Sequence, residues 1–156
     1  MRAAAIALTA TSLGGCATAP LFTARDDVHR FFVAVRDDDQ RTFDGLVVQD
    51  SLTHSVVLNR CYNAGLRGRP LARCVETTSK PPAPIPPSAF RKIAASYGYR
   101  PGQGSSGPVG IPLRARRYGH FCVRDKAFGD CLLHFARSGD GWRLVGVADP
   151  SRLDGP

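Results

Sequence analysis

Four cysteines, Cys61, Cys74, Cys122 and Cys131, carry the most definite chemistry in the 156-residue chain. An even set suits either two disulfides or one four-thiolate zinc site. Zinc ligands come as close pairs two to four residues apart, whereas twelve residues separate the first pair here and eight the second. The local spacing therefore predicts Cys61 bonded to Cys74, and Cys122 bonded to Cys131 across a β-hairpin, with no metal. The four histidines, His29, His54, His120 and His134, have no metal-type spacing either. His29 falls off the apolar stripe of its helix and is expected in solvent, and His134 shares a strand face with Leu132 and Ala136. Asp37, Asp38 and Asp39 are read as helix caps and a turn, since no downstream Glu completes a calcium loop. Gly102-Gln103-Gly104-Ser105-Ser106-Gly107 matches the dinucleotide pattern G-x-G-x-x-G. That pattern works only where a helix follows, and Pro101, Pro108 and Pro112 forbid one. No cofactor is predicted.

Charge is distributed unevenly. Residues 17–59 hold four Arg against seven Asp, residues 60–117 hold nine Arg and two Lys against Glu76, and the remainder balances five against five. Arg67, Arg69, Arg73, Arg114, Arg116 and Arg117 would form one anion-binding surface if the first disulfide loop lay beside the segment leading into the strands.

A compartment follows from the N-terminus. Arg2 and the apolar stretch Ala3 to Leu13 have the layout of a short secretory leader. The stretch ends in Leu13-Gly14-Gly15-Cys16, which resembles the lipobox of bacterial lipoproteins. The resemblance implies cleavage before Cys16 and a diacylglyceryl thioether on its sulfur, with enough acyl chain for stable anchoring. Ala17 stands where an inner-membrane lipoprotein commonly has Asp, which implies sorting to the outer membrane, facing the periplasm. Disulfides are favoured in that compartment. Nucleic acid is then excluded as the anionic partner, leaving lipid head groups, other anionic envelope components or a protein.

These residues need elements to position them. Thr23 is read as the cap of a first helix, in which Val28, Phe31, Phe32 and Val35 recur at i, i+3, i+4 and i+7. After the aspartate turn, an Asp cap opens a short second helix through Phe43 and Leu46. Residues 55–78 fit strand and helix equally. Pro81 to Pro87 read as an extended connector. Ser88 is expected to cap a helix carrying Phe90, Ile93, Ala94 and Tyr97, ended by Gly98. Residues 101–112 read as loop, and residues 118–124, 131–137 and 142–147 as three strands of a meander. Helices first and strands last predict an α+β domain, with N-terminal helices packed on a curved antiparallel sheet. Residues 1–15 form the leader, 16–22 a tether, 23–150 the domain and 151–156 a disordered tail.

The helix Val28-His29-Arg30-Phe31-Phe32-Val33-Ala34-Val35, the acidic turn, the short second helix and the hairpin running from Phe135 through Gly141-Trp142 to Val147 together resemble the nuclear transport factor 2-like superfamily. The resemblance implies a cone of sheet wrapped around helices. It also implies an apolar pocket, used for isomerase or dehydratase chemistry in some members and for binding in others. Asp44, His54, Tyr97 and His134 are the pocket candidates for acid–base work. The expectation carried forward is a non-enzymatic binding or accessory domain, with a small pocket enzyme as the alternative.

Overall fold

A computed structural model describes residues 19–78, 83–104, 107, 110–116 and 119–154. The leader, Cys16 and Arg117 lie outside the described residues, as do Pro81 and Pro82 of the connector. Five helices pack on one open, four-stranded antiparallel sheet, which is the α+β class expected.

Helix α1 (Ala19–Asp37) buries Ala24, Val28, Phe31, Phe32 and Val35 on one face. It starts four residues before Thr23, inside the expected tether, so Thr23 is not its cap. The helix ends at Asp38, whose φ of 56° is left-handed backbone that Asp tolerates better than most residues. Asp39 then caps α2 (Gln40–Gly45) by accepting from the Thr42 amide at 3.1 Å. Residues 46–48 next run beside the last strand. Leu144 donates to the Leu46 carbonyl and Val48 to that of Leu144, which covers the sheet edge there.

The ambiguous stretch is two helices, α3 (Gln49–Asn63) and α4 (Gly68–Thr78). Helix α3 buries Leu52, Thr53, Val56, Val57 and Cys61 and packs on β4. Its approach is close: a Cβ at Gly146 would lie 2.7 Å from Ser55 Oγ, which accepts the Val147 amide at 3.2 Å. Helix α4 buries no residue, packs on α3 and is fastened to it by the Cys61–Cys74 disulfide. Removing this staple with Cys61→Ser/Cys74→Ser should therefore release α4 and leave the core intact. A fourteen-residue closed loop is worth about 3 kcal/mol, so amide exchange over residues 68–78 should accelerate on the order of 100-fold. Unchanged exchange there would contradict the assignment.

Pro87 opens a 3-10 turn (Pro87–Phe90) that leads into α5 (Arg91–Ser96), and no side chain caps either. Ser88 is thus inside the turn and is not the cap expected. Gly98, at φ 91°, closes α5: its amide bonds Ala95 O and the Tyr99 amide bonds Ala94 O.

The strands are β1 (Leu113–Arg116), β2 (His120–Arg124), β3 (Cys131–Ser138) and β4 (Gly141–Val147), side by side in that order. Three match the expected meander, and β1 is additional. The Cys122–Cys131 disulfide ties β2 to β3 as predicted. The inner sheet face presents Phe121, Leu133, Phe135 and Leu144 to Phe31, Phe32, Phe43 and Phe90. Phe121 stacks on Phe135 at 5.0 Å, and Phe31 meets Phe135 edge-on at 5.8 Å. Asp27 of α1 locks this packing by accepting the Trp142 amide at 2.8 Å.

The C-terminal stretch corrects another expectation. Pro150–Arg152 is a 3-10 turn, Leu153 is buried in the core, and Asp154 pairs with Lys92 at 2.7 Å. Arg152 also pairs with Asp125, so residues 151–154 are docked and not a disordered tail. One apolar side chain and two ion pairs supply what composition alone did not reveal.

Candidate anion-binding face

The pocket candidates from the sequence are not brought together. Asp44 is exposed on α2 and accepts from the Gln40 amide group at 2.8 Å, and His54 is exposed on α3. Tyr97 is a core residue stacked on Phe32 at 5.1 Å, donating its hydroxyl to Arg124 O at 2.6 Å. Burial, with the nearby Asp125 charge adding to it, pushes that hydroxyl up to about 12, which suits a permanent donor. Nor is His29 in open solvent: it is half-buried, with Nδ1 2.7 Å from the Tyr99 hydroxyl. The buried carboxylate of Asp125 is held by structure. Burial raises its pKa, but the Ala127 and Phe128 amides and the Arg152 charge outweigh burial and leave it below the usual range.

The arginines expected on one surface separate into groups. Arg67 lies 3.5 Å over the Tyr62 ring and donates to the Tyr62 and Leu66 carbonyls at 2.7 Å, closing the α3–α4 turn. Arg69 and Arg73 flank a shallow groove of about 460 Å³ with Pro70, Cys74 and Thr77. Arg114 and Arg116 belong to β1, the sheet edge opposite β4, on which α3 packs. Three strand spacings of about 4.8 Å separate those two edges.

Arg114 and Arg116 do have basic neighbours. Alternation along β1 puts both on the outer sheet face, where Arg114 pairs with Cys122 and Arg116 with His120. Cys122 pairs in turn with His134. Together with Ala115, these two arginines and two histidines line a depression of about 490 Å³ that has no acidic side chain among the described residues. Among the described residues ion pairs engage cations such as Arg30, Arg36, Arg91, Lys92 and Arg152, and none of these pairs includes Arg114 or Arg116. The Arg116 guanidinium makes a long contact, 3.8 Å, to Cys131 Sγ.

No family model, no curated protein and no solved structure matches the chain.

His120 is the member of this face that sequence reasoning passed over. Its alternation with Cys122 in His120-Phe121-Cys122-Val123-Arg124 was readable, but its partner strand was not anticipated. Burial pulls His134 below its ordinary value of 6.5, and the Arg116 and His120 charges pull the same way. A histidine depressed in the folded state binds protons more readily when unfolded. Its contribution to stability is thus complete above about pH 6.5 and is lost as pH falls through the folded value. Denaturant titrations of His134→Asn should accordingly show a flatter stability profile below pH 6.5 than the parent, and parallel profiles would contradict the burial argument.

Proposed function

We propose that the chain is a lipid-anchored envelope domain, held through Cys16 in the outer membrane and facing the periplasm, that binds an anionic partner without catalysis. The observation that carries this reading is the outer sheet face, where Arg114, Arg116, His120 and His134 stand together with no carboxylate among the described lining residues. Uncompensated cations at neighbouring strand positions repel one another, and a bound anion relieves that repulsion. The resemblance to nuclear transport factor 2-like domains agrees with the order of helices and strands and belongs to the same proposal. Its enzymatic branch is weakened, because aromatic side chains fill the space between α1 and the sheet. A pocket enzyme would need a convergent acid–base pair, and the four candidate residues lie on separate parts of the fold.

Two measurements test the reading. Cys16→Ser should abolish acylation while leaving the domain folded, as seen by mass spectrometry of the membrane fraction; an unacylated parent would refute the anchor. The full chain carrying Cys16→Ser should bind phosphatidylglycerol vesicles at low salt and release them as the Debye length falls from about 30 Å at 0.01 M to about 8 Å at 0.15 M. Binding that is absent at low salt would refute an anionic membrane surface as the partner.

A further inference from the structure

We infer that the ligand of the outer sheet face is a phosphomonoester group, an inference that rests on the anion-binding reading and gives it a chemical class. The row Arg114–Cys122–His134 crosses three strands, and the row Arg116–His120–Ala136 runs beside it. Two residues along a strand separate the rows by about 7 Å, and two strand spacings span about 10 Å. The floor of this rectangle holds Ala136 and the buried Cys122, whose disulfide partner Cys131 has its Sγ 3.8 Å from Arg116 Nη1. The depression opens above it, bordered by Arg114 and Arg116 from β1, by His120 from β2 and by His134 from β3.

Charge and valence decide which anion suits that frame. A carboxylate has two oxygens and one charge, which a single bidentate guanidinium already satisfies. It would leave the second arginine unmatched. A phosphodiester likewise carries one charge. A phosphomonoester has three terminal oxygens and close to two charges near neutral pH, enough to engage both arginine forks and an imidazole N–H at once. The face is carried by paired strands, and the Cys122–Cys131 disulfide ties the central two, which fixes the backbone positions from which the donors extend.

The same group exists as a soluble ester and as a lipid headgroup, so the test has an arm for each. The oxidised full chain carrying Cys16→Ser is titrated calorimetrically with glycerol 3-phosphate and with acetate, and its sedimentation is measured with vesicles containing phosphatidic acid or phosphatidylglycerol. Glycerol 3-phosphate should bind at least tenfold more tightly than acetate. Arg114→Gln/Arg116→Gln should remove that preference, whereas Arg137→Gln, an exposed arginine at the far end of β3, should retain it. Phosphatidic acid vesicles binding more tightly than phosphatidylglycerol ones would assign the lipid-borne ester; equal vesicle binding beside tight glycerol 3-phosphate binding would assign the soluble one. Equal affinity for glycerol 3-phosphate and acetate, both lost in the double variant, would overturn the phosphomonoester and leave the anion-binding face standing. No binding to any of these probes would overturn both, and preference retained in the double variant would move the site off this face.

Discussion

Arg114→Glu/Arg116→Glu should bind anionic vesicles at least about 30-fold more weakly than the parent chain. A basic residue near a membrane surface contributes about 1 kcal/mol, and two such losses amount to roughly 30-fold at about 1.4 kcal/mol per decade. Reversal of charge goes beyond this loss, because repulsion from the surface replaces attraction. The fold should tolerate the change. Both side chains are exposed, neither forms an ion pair among the described residues, and β1 is an edge strand. Co-sedimentation at low and at physiological salt measures the effect. A double variant that binds as the parent does at low salt would dissociate this face from function, and Arg69 and Arg73 on α4 would become the arginines to examine.

The largest loss of stability should follow Phe31→Ala, at about 4 kcal/mol. Phe31 is fully buried, and its ring lies 5.4 Å from those of Phe32 and Phe90, 5.6 Å from Phe43 and 5.8 Å from Phe135. Truncation opens a cavity where α1, α2, the turn after the connector and β3 meet, and aromatic rings on every side cannot collapse into it. For a domain of this size the melting temperature should drop on the order of 10–20 °C. Phe128 supplies the internal contrast. It is 76% exposed, in the β2–β3 turn, so Phe128→Ala should stay within about 0.5 kcal/mol of the parent. Calorimetric melting of both variants decides the matter, and similar shifts would mean that the aromatic cluster is not the structural centre.

The difference between these two phenylalanines was legible in the sequence, because Phe31 belongs to a repeating helical stripe and Phe128 stands alone between strands. The same periodicity revealed α1, and alternation revealed three strands. Strand β1 was invisible for a physical reason: it has four residues, none fully buried, and only its pairing with β2 defines it. Helices α3 and α4 were ambiguous because α3 mixes buried Leu52, Val56, Val57 and Cys61 with exposed Leu58 and Tyr62, while α4 buries nothing and is fastened by a disulfide. Local chemistry survived better. Asp39 caps α2, and both cysteine pairs follow the spacing that predicted them.

The candidate face was half legible. Arg114 and Arg116 were recognisable by type, but their companions depend on strand register, which no local pattern shows. Register brings His120 opposite Arg116, and His134 two strands away from Arg114. It also separates them from Arg69 and Arg73, since α4 rests on α3 and α3 on the far edge of the sheet. Proximity along the chain therefore suggested one surface where the fold makes two.

Mapping a bound anion onto the protein decides whether the β1–β3 face is the site. Two-dimensional amide and histidine ring spectra of the oxidised chain carrying Cys16→Ser should be recorded while glycerol 3-phosphate is added. The account predicts saturable shifts at Arg114, Arg116, His120 and His134, with residues 68–78 and the core around Phe31 unmoved. Shifts gathered on Arg69 and Arg73, or no saturable shift on β1 to β3, would contradict it.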